Sequence, residues 1–191
     1  MTIADVKAIV EVHLASFSGF FLSFLGPAFL HELYAAIVAD PTGIAYVWEE
    51  DGVLQGFVAG TSYASGFYRR LLERRWWRFC RASILPVIKN PRIIPRLLRA
   101  FSKPNESTET NQATLMSIAV LPMSQGKGVG RALVDQFLRE AARSGCKQVS
   151  LTTDKDHNDY ANIFYQRLGF VCKGNFVTPE GREMIEYIIH I

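Results

Sequence analysis

Apolar and polar positions recur along this chain with two different periods, and each change of period marks a new element. Val6, Ile9, Val10 and then His13 or Leu14 fall at helical spacing, which predicts a helix over Val6 to Leu14. A second helix is expected from about Pro27, a residue suited to a first turn, to Ala39. Asp40-Pro41 ends it, because a residue before proline avoids helical backbone. Ile44 to Trp48 reads as a strand. Glu49-Glu50-Asp51-Gly52 carries the Asp-Gly hairpin signal, and Val53 to Tyr63 returns as the paired strand. Gly56 and Gly60 mark bulges or close approaches within it. The near-continuous apolar run from Thr114 to Val120 has the character of a central strand. A helix from about Gly128 to Ser144 would bury Val129, Leu133, Phe137 and Ala141, with Gly145 as its stop signal. Gln148 to Thr152 is then a strand parallel to the previous one, because a helix joins them. Asn158 to Leu168 is a short helix ended by Gly169, and strands at Phe170 to Lys173 and Glu183 to Ile189 close the sheet. That order predicts one mixed α/β domain over residues 1–191, without internal repeats.

Composition narrows the class. Hydrophobic residues make up 49% and charged residues 20% of the 191, which fits a folded globular chain and excludes a disordered one. Cys80, Cys146 and Cys172 are odd in number and lack metal-type spacing, so a reduced, cytoplasmic setting is expected. The four histidines, His13, His31, His157 and His190, form no metal-binding pattern, and no metal is expected. The N-terminus reads as a helix rather than a secretory leader. The uncharged stretch between His13 and His31 is too interrupted by serine, glycine and proline for a membrane span. Its Phe17, Phe20, Phe21, Phe24 and Phe29 are expected to line a core or a substrate pocket.

The net charge of +3 conceals an uneven distribution. Between Gly66 and Lys103 there are 11 basic residues and one acid, a local charge of +10; the remainder carries −7. The chain therefore reads as an acidic domain with a basic helical insertion at about residues 66–104. Arg70, Arg74, Arg78 and Arg81 share a helical stripe, while Leu72, Trp76, Phe79 and Cys80 fall largely elsewhere. Pro86, Pro91 and Pro95 are expected to break the rest into short pieces, and Lys103 to Gln112 to form a polar loop. Three uses of this insertion stay open: a lid for an anionic acceptor, an amphipathic helix on an anionic membrane surface, or a solvated face whose tryptophans pack on the domain. No nucleic-acid motif accompanies it.

The strongest chemical signal is the turn Gln125-Gly126-Lys127-Gly128-Val129-Gly130 between an apolar strand and a helix. It is neither a P-loop nor a dinucleotide fingerprint. Its glycines permit positive φ and leave no Cβ between backbone and ligand, so amides at a helix N-terminus can converge on a pyrophosphate. Lys127 and Arg131 offer charge beside it. The pattern Gln125-x-x-Gly128-x-Gly130, preceded by Ser117-Ile118-Ala119-Val120-Leu121-Pro122, resembles the acyl-CoA motif of the GNAT superfamily of N-acetyltransferases. Asn158-x-x-Ala161-x-x-x-Tyr165-x-x-x-Gly169-Phe170 is similar to a second segment of that family. The resemblance covers roughly Thr114 to Lys173, and residues 66–104 have no counterpart in the minimal pattern.

The resemblance implies a mixed, mostly antiparallel sheet flanked by helices, with one parallel pair splayed at an acetyl-CoA site. It implies backbone contacts from Ile118, Ala119 and Val120 to the pantetheine, and a pyrophosphate held at Gln125, Gly126, Lys127, Gly128, Val129, Gly130 and Arg131. Thr153, Asn158, Phe164 and Tyr165 would complete the cofactor site. Tyr165 would protonate the departing thiolate, a task that suits a weak acid still protonated at neutral pH. Asn158, about two helical turns earlier, would touch the pantetheine or orient Tyr165. The expected reaction is direct attack of a primary amine, such as that of an amino sugar or nucleotide sugar, on acetyl-CoA in a ternary complex. A peptide acceptor, and a non-catalytic acyl-CoA sensor, are the alternatives, and a homodimer is left open. The general base is unassigned, since Thr114 to Ser117 lacks a carboxylate: His157, Asp154, Glu49 and a water chain all remain candidates.

Overall fold

The computed structural model describes residues 1–17, 21–89 and 111–191. Its six strands are β1 (Gly43–Glu50), β2 (Val53–Thr61), β3 (Gln112–Val120), β4 (Gln148–Asp154), β5 (Val171–Val177) and β6 (Glu183–His190). They form one sheet in the order β1-β2-β3-β4-β6-β5. Every neighbouring pair is antiparallel except β3 and β4. The helices are α1 (Val6–Ser16), α2 (Phe21–Phe24), α3 (Gly26–Ala39), α4 (Phe67–Lys89), α5 (Val129–Arg143) and α6 (Asp159–Arg167).

The β1–β2 hairpin turns at Asp51 and Gly52, both at positive φ, as a tight turn matched to strand twist requires. The crossover from β3 through α5 to β4 makes the parallel pair, and α5 buries Val129, Leu133, Val134, Phe137 and Ala141 along one stripe. The sheet separates two cores. Phe57, Ala59 and Ala119 face α1 and α3, where Ile9, Phe29, Leu30 and Tyr34 are buried with them. Val58, Leu115 and Val149 face α5 and α6 with Phe137 and Tyr165. Alternation along β2 assigns Phe57 to one core and Val58 to the other.

The sheet opens in the middle. β3 and β4 pair only over Gln112–Thr114 and Gln148–Ser150, although β3 continues to Val120 and β4 to Asp154. The divergence coincides with a bulge on the other edge of β3, where Ala59 faces Ser117 but Gly60 faces Leu115. An extra residue bends a strand and increases its twist, and here it does so directly after the last parallel pair. A Cβ on Gly60 would lie 2.1 Å from the Thr114 carbonyl oxygen, so the close approach at the bulge requires glycine.

Several expectations change. Pro86 lies inside α4 instead of breaking it, and the irregular backbone is at Arg75, with φ −139°. Pro91, Pro95 and residues 103–110 of the expected loop fall outside the described residues, as does Phe20; Gln112 belongs to β3. Phe24 is exposed, whereas Phe29 is in the core. Trp76 and Trp77 are not in the core: they are 62% and 51% exposed, and Trp77 lines a surface hollow with Ala28, His31 and Glu32 of α3. The arginine stripe points the other way, towards the domain's own carboxylates. Arg70 and Arg74 each lie 3.7 Å from buried Asp40. Arg75 and Arg78 approach Glu32 at 3.6 and 3.8 Å.

Candidate active site

The opening between β3 and β4 is the floor of a cleft of about 610 Å³. The orientation of its backbone follows from a single hydrogen bond. The Leu121 N–H donates to the Gln55 carbonyl on the β2 side at 2.8 Å. N–H and C=O groups alternate sides along a strand, so Ile118 and Val120 turn theirs into the gap. Those groups are free of a partner strand and can pair with an extended amide chain as an added strand would. Gln125 closes the far end by donating from Nε2 to the Val120 carbonyl at 3.2 Å.

At that end lies the glycine turn. Gly126 and Gly128 hold φ of +75° and +84°, with nothing within 4 Å of where a Cβ would project. Gly128 immediately precedes α5 in a left-handed conformation that other residues resist. The first amides of α5 therefore emerge into open space, where an anion meets N–H donors and the positive end of the helix dipole. This is a good fit to a pyrophosphate. Gly130 has another role, since a Cβ there would come 3.3 Å from the Phe164 ring, so its absence lets α5 pack on α6.

Ile118, Ala119, Val120, Gln125, Gly126, Gly128, Gly130, Arg131, Thr153, Asn158, Phe164 and Tyr165 all line the cleft. Two expected members do not. Lys127 is exposed, and Val129 is buried in the α5 core, so only their backbone amides belong to the turn. Arg131 lines the cleft but also approaches Asp135 at 3.9 Å.

Tyr165 projects from α6 among Phe164, Phe170 and Tyr187. Burial pushes its phenol up to about 12, so it holds its proton throughout the physiological range. Asn158 precedes α6, and its Nδ2 is committed to β4, donating to Thr153 Oγ1 and at 3.5 Å to the Asp154 carbonyl. Asn162 donates to that same carbonyl at 3.1 Å. The recorded bonds of Asn158 thus fasten α6 to the end of β4, and none of them runs to Tyr165.

The base candidates separate clearly. Glu49 is exposed on β1, and His157 is exposed in a left-handed turn before α6; neither lines the cleft. Asp154 does, but both its oxygens accept from the Arg182 guanidinium. Periodicity had placed His13 on the buried stripe of α1 without giving it a chemical role, and it lines the cleft. It is 3% exposed, and its Nδ1 shares a 2.7 Å hydrogen bond with the Tyr34 hydroxyl. That hydroxyl lies 3.1 Å from Ser117 Oγ. Burial pushes the imidazole down to about 4, so the ring is neutral. The signal was available as a lone titratable residue among Ile9, Val10 and Val12; its partners, 21 residues away and beyond, were not.

The acetyltransferase (GNAT) family model matches residues 7–170, and the chain belongs to that family. In fold it is similar to the polyamine N-acetyltransferase of Drosophila melanogaster, an enzyme that forms N-acetylagmatine, with a TM-score of 0.63 and 15% identity over 100% of this chain and 97% of that one. It is also similar to the ribosomal-protein-S18-alanine N-acetyltransferase of Escherichia coli, with a TM-score of 0.62 and 16% identity over 100% and 90%. The PaiA N-acetyltransferase of Thermoplasma acidophilum, solved with coenzyme A, matches at a TM-score of 0.57 and 12% identity over 97% and 94%.

Proposed function

We propose that this acetyltransferase moves an acetyl group from acetyl-CoA to the primary amine of a small molecule, by direct attack within a ternary complex. The observation that carries the reading is the continuity of the cleft. It runs from the open amides at Gly126 and Gly128, past the edge of β3 at Val120 and Ile118 that lacks a partner strand, to the buried Tyr165. A pyrophosphate, an extended pantetheine and a thioester fit those three stations in that order. The Val120 N–H would then polarise the thioester carbonyl, a contact that strengthens as negative charge develops on oxygen. Tyr165 would give its proton to the departing thiolate.

Acetyl-CoA is the co-substrate to test first. A ligand of the native state raises the unfolding midpoint as its concentration passes its dissociation constant. Acetyl-CoA is expected to raise the midpoint with saturation, and CoA to do so as well. No shift at any concentration would remove the cofactor assignment, and binding without amine-dependent CoA release would leave the sensor role instead.

A second reading concerns α4. Trp76, Trp77, Ile84 and Ile88 are exposed on a helix rich in arginine, which supports contact with an anionic lipid surface. The ion pairs to Asp40 and Glu32 weigh against a lid for an anionic acceptor, because Arg70, Arg74, Arg75 and Arg78 already have carboxylates. Sedimentation with anionic vesicles should carry the protein down, and the double change Trp76→Ser, Trp77→Ser should abolish it. Equal sedimentation of both proteins would remove this reading.

A further inference from the structure

The cleft is reached from both faces of the sheet, and the two faces supply different chemistry. Tyr165 and the glycine turn belong to the α5–α6 side. His13, on α1, belongs to the other side, where its ring lies beside those of Phe17, Tyr34 and Phe57. On α1 itself, among the described residues, two buried polar atoms have no hydrogen-bond partner, His13 Nε2 and Ser16 Oγ. They lie one helical turn apart on α1, and both residues line the cleft. A buried polar atom left unpaired is costly, and such an atom facing a cavity is best explained by a ligand.

We propose that this end of the cleft is the acceptor subsite, that His13 Nε2 takes the proton of the attacking amine, and that the acceptor is an uncharged primary amine on an apolar, aromatic-type body. The proposal rests on the acetyl-transfer reading above. The hydrogen-bond chain accommodates the tautomer this role requires: Nδ1–H donates to the Tyr34 hydroxyl, that hydroxyl donates to Ser117 Oγ, and Nε2 carries a bare lone pair. Burial pushes the Tyr34 phenol upward, so it stays neutral and accepts the Nδ1 proton's hydrogen bond more strongly as the ring becomes cationic.

In the step itself, the amine nitrogen bonds the thioester carbonyl carbon and loses a proton to His13 Nε2. The C–S bond breaks, its electron pair stays on sulfur, and Tyr165 protonates that sulfur. Return of the proton from His13 to Tyr165 through water restores both residues, leaving an amide and a thiol. Because His13 enters from one face and Tyr165 from the other, the nucleophile and leaving group have separate proton partners.

The lining sets the acceptor class. Phe17 packs beside His13, and with Leu22 and Met116, which pack on the same α1-side core, it lines the cleft. Among the described lining residues the sole acid is Asp154, and Arg182 holds it. A polycationic amine would be desolvated without a counter-charge, which is costly. An apolar amine gains from the same walls and reaches Nε2 uncharged.

The test compares wild type, His13→Gln and Tyr34→Phe with phenethylamine, aniline and spermidine as acceptors, while titration measures acetyl-CoA binding. Wild type should favour aniline, which is uncharged at neutral pH, over spermidine by at least about tenfold in kcat/KM, with phenethylamine, aromatic but an ammonium at that pH, between them. His13→Gln should lower kcat by about a hundredfold with acetyl-CoA affinity unchanged, and added imidazole should speed the variant but not wild type. Tyr34→Phe should lower kcat less and keep acetyl-CoA affinity; if His13→Gln does not fold, this variant decides. Wild-type kcat in the folded variants, or a preference for spermidine, would overturn the proposal. Failure of wild type to bind acetyl-CoA or acetylate any amine would instead overturn the reading beneath it.

Discussion

Two buried side chains carry opposite pKa displacements, and each has a measurable consequence. Burial keeps Tyr165 protonated up to about pH 12, so it should contribute no alkaline fall in activity below that pH. Tyr165→Phe removes the proposed proton donor and leaves the ring packing against Phe170 and Tyr187 intact. It should lower kcat by about a hundredfold with little change in the KM for acetyl-CoA, as steady-state kinetics would show. His13 is displaced the other way, from 6.5 to about 4. Between those values the unfolded chain binds a proton that the folded chain excludes. The stability from keeping the ring neutral is present in full above 6.5 and declines as pH falls towards about 4. Urea denaturation at a series of pH values should show that slope in wild type and a shallower one in His13→Gln. Tyr165 and Asn158 come from the resemblance that one segment, Asn158 to Phe170, bears to a family pattern. The His13–Tyr34–Ser117 chain was not legible in the sequence, because it joins two helices and a strand through contacts that no local pattern records.

At the scale of elements, α4 is held to the domain through Arg70. Its guanidinium donates to the carbonyls of Ser65 at 2.6 Å and Tyr63 at 3.0 Å, and to Thr42 Oγ1 at 3.1 Å. It also lies 3.7 Å from Asp40, whose carboxylate accepts from the Thr42 amide and hydroxyl. Arg70→Met should cost about 2–3 kcal/mol in denaturant unfolding, because Asp40 stays buried with less compensation. Arg69→Met, which breaks only the exposed pair with Glu73, should leave the midpoint unchanged. In the glycine turn, Gly128→Ala should cost about 1 kcal/mol through its left-handed backbone alone, and should weaken acetyl-CoA binding as the amides realign. The basic stripe was legible as a helix, but not its direction. Whether an arginine faces solvent or Asp40 depends on where α3 ends in space, and periodicity within one helix carries no such information. The exposure of Trp76 and Trp77 follows from the same cause.

For the whole molecule, the site is a consequence of sheet topology. One parallel pair sits within an otherwise antiparallel sheet, and a bulge on the opposite edge turns it apart after three residue pairs. The parallel connection was legible, because a helix separates two apolar runs. The length of the gap was not, since it depends on how β2 twists β3 rather than on the residues of β3 and β4 alone. The same topology brings α1 against one face and α6 against the other, so that, in the proposed reaction, nucleophile and leaving group would meet in the opening. The most direct measurement of this arrangement is amine-dependent release of CoA thiol from acetyl-CoA, followed for wild type and Tyr165→Phe, with the amide product identified by mass spectrometry. The account predicts saturable release by wild type only when an amine is present, one amide formed per thiol, and loss of most turnover in the variant. Release independent of amine, or equal turnover by both proteins, would contradict it.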